Sequence, residues 1–256
     1  MFENCTSLKN IPEGLLPASK LENACYREMF KGCSDLVNIP GGLLPATDLT
    51  VTDENGALYN GCYWEMFANC TSLKEIPDGL LHATKLSYIC YGEMFVNCTS
   101  LKEIPGGLLP ATKLAEECYN GMFGNCIGLK NIPESLLQTT TLTTGCYRSM
   151  FSGCSGLTQI PDGLLPATEL AEGCYAYMFS GCSGLTDISE NLLHIQTLTN
   201  KQVETSYNYM FSGCSGLTQI PAGVLNFTGF TKQNMNISGM FASCTNLYKV
   251  HFDIDI

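Results

Sequence analysis

Basic residues, histidine and long apolar runs are all scarce in this chain of 256 residues. Thirteen Lys and Arg stand against twenty-four Asp and Glu, which gives a net charge of −11. A nucleic-acid partner is therefore not expected, because phosphate binding needs clustered basic residues. The three His make a His-based catalytic or metal centre improbable. No apolar stretch reaches the ~18 residues of a membrane span, and residues 1–5 do not resemble a secretory signal.

What the chain has in abundance is internal repetition. A Met-Phe pair occurs nine times, from Met1-Phe2 to Met240-Phe241, at spacings of 28, 37, 28, 28, 28, 28, 32 and 30 residues. The extra residues all fall at one point of the unit, which predicts a surface loop there. The largest insertion covers residues 50–61. We therefore expect a single domain over residues 1–256, with about nine units of which the first is partial.

One regular unit runs from Leu101 to Gly128. Its opening pattern, L-x-x-I-P, predicts a strand of three or four residues that ends at a proline. Leu114, Cys118 and Met122 then follow at i, i+4 and i+8, which is the spacing of one helical face. The second residue after each Phe tolerates a left-handed conformation and predicts the helix end. That position holds Gly32, Asn69, Asn97, Asn125, Gly153, Gly181 and Gly213.

A single unit of this kind is too small to fold alone. Its few large apolar side chains cannot offset the entropy lost by ordering 28 residues, so the units must stack as a solenoid. The alternating pattern of residues 247–256 predicts a closing strand. The first unit carries no polar cap, so we expect either end-to-end stacking through it or a longer parent chain.

The fifteen Cys form two columns, nine after Met-Phe and six before it. Their C-x7-C separation is not a zinc spacing. Pairing within units would leave Cys214 and Cys244 without partners, because Ser206 and Asn236 replace the first Cys there. We expect buried, reduced ladders, with disulfides and a metal site as the alternatives.

The string F-x-x-C-x-x-L-x-x-I, as in Phe151 to Ile160, resembles the BspA-like class of bacterial leucine-rich repeats. The unit of this chain is longer than the usual one in that class. The resemblance implies an α/β solenoid, a right-handed leucine-rich-repeat array with short parallel strands on the concave face and short helices on the convex face. It also implies a cell-surface or secreted location and a role in adhesion or protein binding.

Two candidate contact sites follow from the repeat. The residue before each strand Ile should point outward, because side chains alternate along a strand. This polar column contains Asn38, Glu75, Glu103, Asn131, Gln159, Asp187 and Gln219. The second candidate is the insertion, with Asp53, Glu54 and the nearby Trp64 as contact residues. The alternative interpretations are a solvated sheet face and a tolerated loop.

We therefore expect a non-enzymatic binding or adhesion module that recognises a protein or glycan partner at a cell surface. No catalytic signature, metal site or cofactor is expected. The alternative is a structural spacer or fibre segment of a surface or phage tail protein.

Overall fold

The structure, a computed structural model, describes residues 1–50, 61–193, 205–225 and 237–251. In these residues each Met-Phe unit forms one coil, and successive coils stack in register. Their backbones are joined by parallel contacts from one coil to the next. The repeat solenoid expected from the sequence is therefore confirmed. Asp53 and Glu54 lie outside the described residues.

Regular strands are confined to the end of the described chain. β1 (Gln219–Ile220) and β2 (Lys249–Val250) pair in parallel, with Gln219 opposite Lys249. This agrees with the predicted closing strand as far as the structure describes it. Earlier coils make sparser contacts at the same place, such as the 3.4 Å bond from the Lys102 amide to the Lys74 carbonyl. The proline after the strand Ile has no N–H to donate, which ends the pairing in most units.

The predicted helices are wrong for the described residues, which contain turns in their place. In the unit around Phe123, alternate amides bond in two directions. The Met122 amide donates to the Tyr119 carbonyl at 3.3 Å, three residues back in its own coil. The Phe123 amide donates to the Met150 carbonyl of the next coil at 2.9 Å. We call this stretch, residues 115–126 in this unit and the equivalent residues of the other coils, the turn segment.

The turn segment has a period of four residues, which explains why it looked helical. Glu117, Gly121 and Asn125 have φ of 52°, 63° and 57°. Each is the third residue of a hydrogen-bonded turn, the place where a type II turn requires positive φ. A four-residue period puts i and i+4 on one face, as a helix nearly does. It also turns every second amide toward the neighbouring coil, which an α-helix cannot do.

The left-handed position after each Phe is confirmed, although it ends a turn and not a helix. All seven predicted residues have positive φ, between 57° and 76°. Ser243 holds the equivalent place in the last described coil, with φ of 59°. Gly and Asn suit this position because they adopt left-handed φ at little cost.

The core consists of columns of identical side chains. The Phe rings from Phe2 to Phe241 form one stack, with centroids 5.5–5.7 Å apart and planes within 8° of parallel. The Tyr rings from Tyr26 to Tyr207 form a second stack, at 5.5–6.1 Å. The strand Ile and the Leu three residues before it are buried from Leu36 to Ile220. The Met side chains from Met29 to Met240 are buried as well, so the stacked units place their Met-Phe pairs in the interior.

Candidate functional site

The cysteine ladder is a structural element of the core. All fifteen thiols are free, and all but Cys5 and Cys25 are buried. From Cys33 to Cys244, each thiol after Met-Phe donates to the carbonyl of the Phe in the preceding coil, at 3.0–3.2 Å. Burial raises the pKa of Cys154 to about 12. These thiols are therefore protonated hydrogen-bond donors at neutral pH.

The second cysteine column also contains donors to carbonyls of the preceding coil, and a serine takes over this role at one position. The Ser206 hydroxyl donates to the Ala171 carbonyl at 2.9 Å, in the position that a thiol fills in earlier coils. Cys62 donates to the Glu22 carbonyl at 3.4 Å. Cys25 differs, because it is exposed and its interaction with the neighbouring Cys62 thiol lowers its pKa to about 7.

The predicted polar column is exposed over its whole described length. Each of its side chains points to solvent, while the Ile that follows is buried. The register of Asn10 on Asn38 and of Gln219 on Lys249 shows that the column continues from coil to coil. The structure therefore aligns the seven predicted residues in one exposed column. Their role in binding stays a prediction.

Trp64 lies on the turn segments and not beside this column. Its indole is partly buried, and the Arg27 guanidinium lies 3.8 Å from the ring centroid. Arg27 is also 3.8 Å from a carboxylate oxygen of Glu28. Tyr88 and Ile89 complete a groove of about 430 Å³ around the indole. No residue of the polar column lines this groove.

Sequence reasoning missed the partner of Trp64, although a signal was present. Arg27 follows Cys25-Tyr26 as Trp64 follows Cys62-Tyr63, so the two occupy the same position of adjacent units. Stacked units bring equal positions side by side. The arginine therefore lies over the aromatic ring, in a cation–π contact.

An acidic cluster adjoins this groove. The Lys31 ammonium bonds Glu28 at 3.2 Å and also bonds Glu65. Burial raises the pKa of Glu93, and the nearby charge of Glu65 adds to the rise. Burial also raises the pKa of Glu28, but the bonds to Lys31 and Glu65 outweigh it and leave that pKa lowered.

A second groove, of about 280 Å³, lies on the turn segments further along the array. Gly145 and Gly173 lie in it, and Arg148, Tyr177 and Asn208 line its sides. None of these residues was predicted as a site. The available signal was the loss of side chains at Gly145 and Gly173, where the preceding units have Ile89 and Glu117.

The part of the chain that the structure describes contains neither a cluster of metal ligands nor a membrane-spanning helix. No group of three or more His, Cys, Asp or Glu is arranged to hold a metal ion within those ranges. In the same part of the chain, no helix has the length and apolar character to cross a membrane.

Comparison with known proteins adds three solved structures of low similarity. A leucine-rich cell surface protein from Faecalibacterium prausnitzii is 18% identical, with a TM-score of 0.34 over 98% of this chain and 74% of its own. A leucine-rich-repeat protein from Bacteroides ovatus is 19% identical, with a TM-score of 0.28 over 99% and 76%. One from Eubacterium ventriosum is 14% identical, with a TM-score of 0.32 over 86% and 68%.

These neighbours are bacterial leucine-rich-repeat proteins, and their TM-scores all lie below 0.35. Neither protein-family models nor curated proteins yield a match. The family resemblance therefore continues to rest on the repeated F-x-x-C-x-x-L-x-x-I string.

Proposed function

We propose that this chain is a non-enzymatic binding module of the leucine-rich-repeat kind, which presents a polar column to a protein or glycan partner at a cell surface. The observation that carries the proposal is the division of each coil into invariant and variable positions. Buried columns keep one residue type from coil to coil, while the exposed column changes among Asn, Gln, Asp and Glu.

A rigid core supports this role physically. The stacked rings and the bonds between coils fix the spacing of the exposed side chains, so little ordering entropy is lost on binding. Amide and carboxylate groups offer donors and acceptors at each coil. Such an array suits an extended partner that contacts several coils at once.

The experiment is a binding screen of the full chain, followed by substitution of the polar column. The chain is applied to arrays of glycans and of extracellular proteins, and each hit is measured again with a triple variant, Glu103→Ala, Asn131→Ala and Gln159→Ala. We expect at least about tenfold weaker binding, the equivalent of about 1.4 kcal/mol.

The matched control changes three exposed acidic residues of the turns after the strands, Glu13→Ala, Glu134→Ala and Asp162→Ala. It should leave the affinity unchanged. Equal binding by the triple variant and the wild type would remove the polar column from the proposal. The absence of any hit in the screen would favour the spacer or fibre-segment alternative.

A further inference from the structure

The second groove exists because two glycines interrupt a column of side chains. Gly145 and Gly173 have φ of 58° and 59°, the left-handed conformation that Ile89 and Glu117 adopt in the preceding coils. Gly173 is buried and forms the floor together with Ala176. The backbone conformation is therefore unchanged here, and the missing side chains leave a depression in the surface.

One wall of the groove is acidic. Glu117 packs over Gly145, and its Cγ lies 3.0 Å from where a Cβ on that glycine would stand. One oxygen of Glu117 accepts a bond of 3.3 Å from the Asn120 amide group. Glu172 is exposed at the same groove. This side therefore offers carboxylate acceptors to anything bound there.

The other wall combines a cation with an aromatic ring. The Arg148 guanidinium carbon lies 5.6 Å from the centroid of the Tyr177 ring. The same ring is stacked on Tyr209 at 5.0 Å, within 3° of parallel, which holds it in place. Arg148 makes no ion pair with any residue in the described ranges. Its donors thus remain available.

A buried oxygen at this groove also lacks a partner. Among the described residues, Asn208 Oδ1 is buried and accepts no hydrogen bond. An unsatisfied buried polar atom costs about 1–3 kcal/mol, and a turn of the Asn208 amide toward a ligand that donates to it would remove that cost. This observation is independent of the charges and of the glycines, and it points to a ligand that carries hydroxyl or amide donors.

The mixture of groups selects a chemical class. Two carboxylates disfavour an anion, and the guanidinium disfavours a cation. A purely apolar ligand would desolvate all three without giving hydrogen bonds in return. Hydroxyl groups both donate and accept, so a polyol can bond to the carboxylates, to Asn208 and to Arg148. The C–H face of a sugar ring can also pack on the Tyr177 ring.

We propose that the groove between Glu117 and Tyr177 is a binding site for one neutral sugar ring. Its volume of about 280 Å³ is below the roughly 300–1,000 Å³ of pockets for drug-sized ligands, which suits a single ring. The site lies on the turn segments and shares no residue with the polar column. It can therefore bind whether or not that column has a partner.

The test is saturation-transfer NMR on the full chain with glucose, galactose, mannose and N-acetylglucosamine. Each sugar is offered free and as the terminal residue of a short oligosaccharide, which separates the two sources of the same chemistry. We expect transfer to the ring protons of at least one sugar. Glucuronate, the anionic counterpart of glucose, should give a weaker signal than glucose.

Two variants locate the binding. Tyr177→Ala should raise the Kd about tenfold through loss of the aromatic contact. Gly173→Asn fills the floor of the groove and should abolish transfer. Asparagine is tolerated at left-handed φ, as Asn69 and Asn125 show in this chain. Gly42→Asn is the matched control, because Gly42 has φ of 72° with open space around it.

The two glycine variants should melt at similar temperatures, so a lost signal reports the groove and not the fold. No transfer from any of the four sugars, free or terminal, would overturn the proposal. Equal transfer in the wild type and in Gly173→Asn would overturn it as well.

Discussion

The two grooves on the turn segments share most of their repeat positions, including that of the arginine, but differ in whether the arginine has an ionic partner. Arg27 and Arg148 each follow a Cys-Tyr pair, and each lies near an aromatic ring of the next coil. Arg27 is 3.8 Å from its ring and has Glu28 as an ionic partner. Arg148 is 5.6 Å from its ring and is followed by Ser149.

This difference shows that, in a repeat array, the role of a side chain depends on the residues in the neighbouring columns. Around Arg27, Glu28, Glu65 and Lys31 form a network that satisfies its own charges. Around Arg148, the positions that correspond to Glu28, Glu65 and Lys31 hold Ser149, Tyr177 and Ser152. The first region uses its charges for internal pairing, whereas the second keeps them for a ligand.

The largest expected effect comes from breaking the core that both regions share. Phe123 lies between them, 5.7 Å from Phe95 on one side and from Phe151 on the other. Phe123→Ala should lower the free energy of unfolding by about 3–5 kcal/mol, because it opens a cavity inside the stack. Urea unfolding followed by circular dichroism measures the loss.

The matched control for this substitution is Phe241→Ala. Within the described residues Phe241 stacks on one neighbour, Phe211, and is only half buried. Its removal should lower the free energy of unfolding clearly less than Phe123→Ala does. If both substitutions cost the same, the Phe stack would not be the element that couples the coils.

Much of this core could be predicted from the sequence, because it depends on the period alone. The spacing of Met-Phe fixes which residues align, and the outward position before each Ile follows from strand alternation. The turn segments could not be told from helices by the stripe of Leu114, Cys118 and Met122, since three residues are too few to separate a period of four from 3.6. Left-handed candidates at every fourth residue, such as Gly121 and Asn125, were the missing evidence.

The grooves were harder to predict than the core. Arg148 and Tyr177 belong to neighbouring positions of different units. Their contact therefore depends on the direction in which each side chain extends from its own coil toward the next. A sequence gives the alignment of units but not that direction. The unpartnered oxygen of Asn208 depends on atomic packing and has no signature in the repeat pattern.

The next prediction compares the loss of stability when each of the two arginines is replaced by alanine. Arg27→Ala should lower the free energy of unfolding by about 0.5–1 kcal/mol, because it removes a close contact with the Trp64 ring. Arg148→Ala should cost less than about 0.5 kcal/mol, as for most surface substitutions, while weakening sugar binding. Paired urea titrations and the NMR assay give both readouts, and an equal stability loss would contradict the division of roles.

The smallest effect tests the charge network of the first region through pH. Because burial and the charge of Glu65 raise the pKa of Glu93, its ionised form is disfavoured in the folded state. The stability it contributes is present below the ordinary carboxyl pKa and is lost as pH rises through the raised value. Glu93→Gln should therefore raise Tm slightly at pH 7, with a difference that shrinks toward pH 4.

The control for this prediction is a substitution at Glu28, which should change Tm at pH 7 in the opposite direction. The lowered pKa of Glu28 means that its stabilisation is present above the ordinary carboxyl pKa and disappears as pH falls through the lowered value. Glu28→Gln should therefore lower Tm at pH 7 and have a diminishing effect in acid. Thermal melts of both variants between pH 3 and pH 8 measure the two differences. Shifts of the same sign at pH 7 would show that the two carboxyls do not have opposite roles in the Lys31 network.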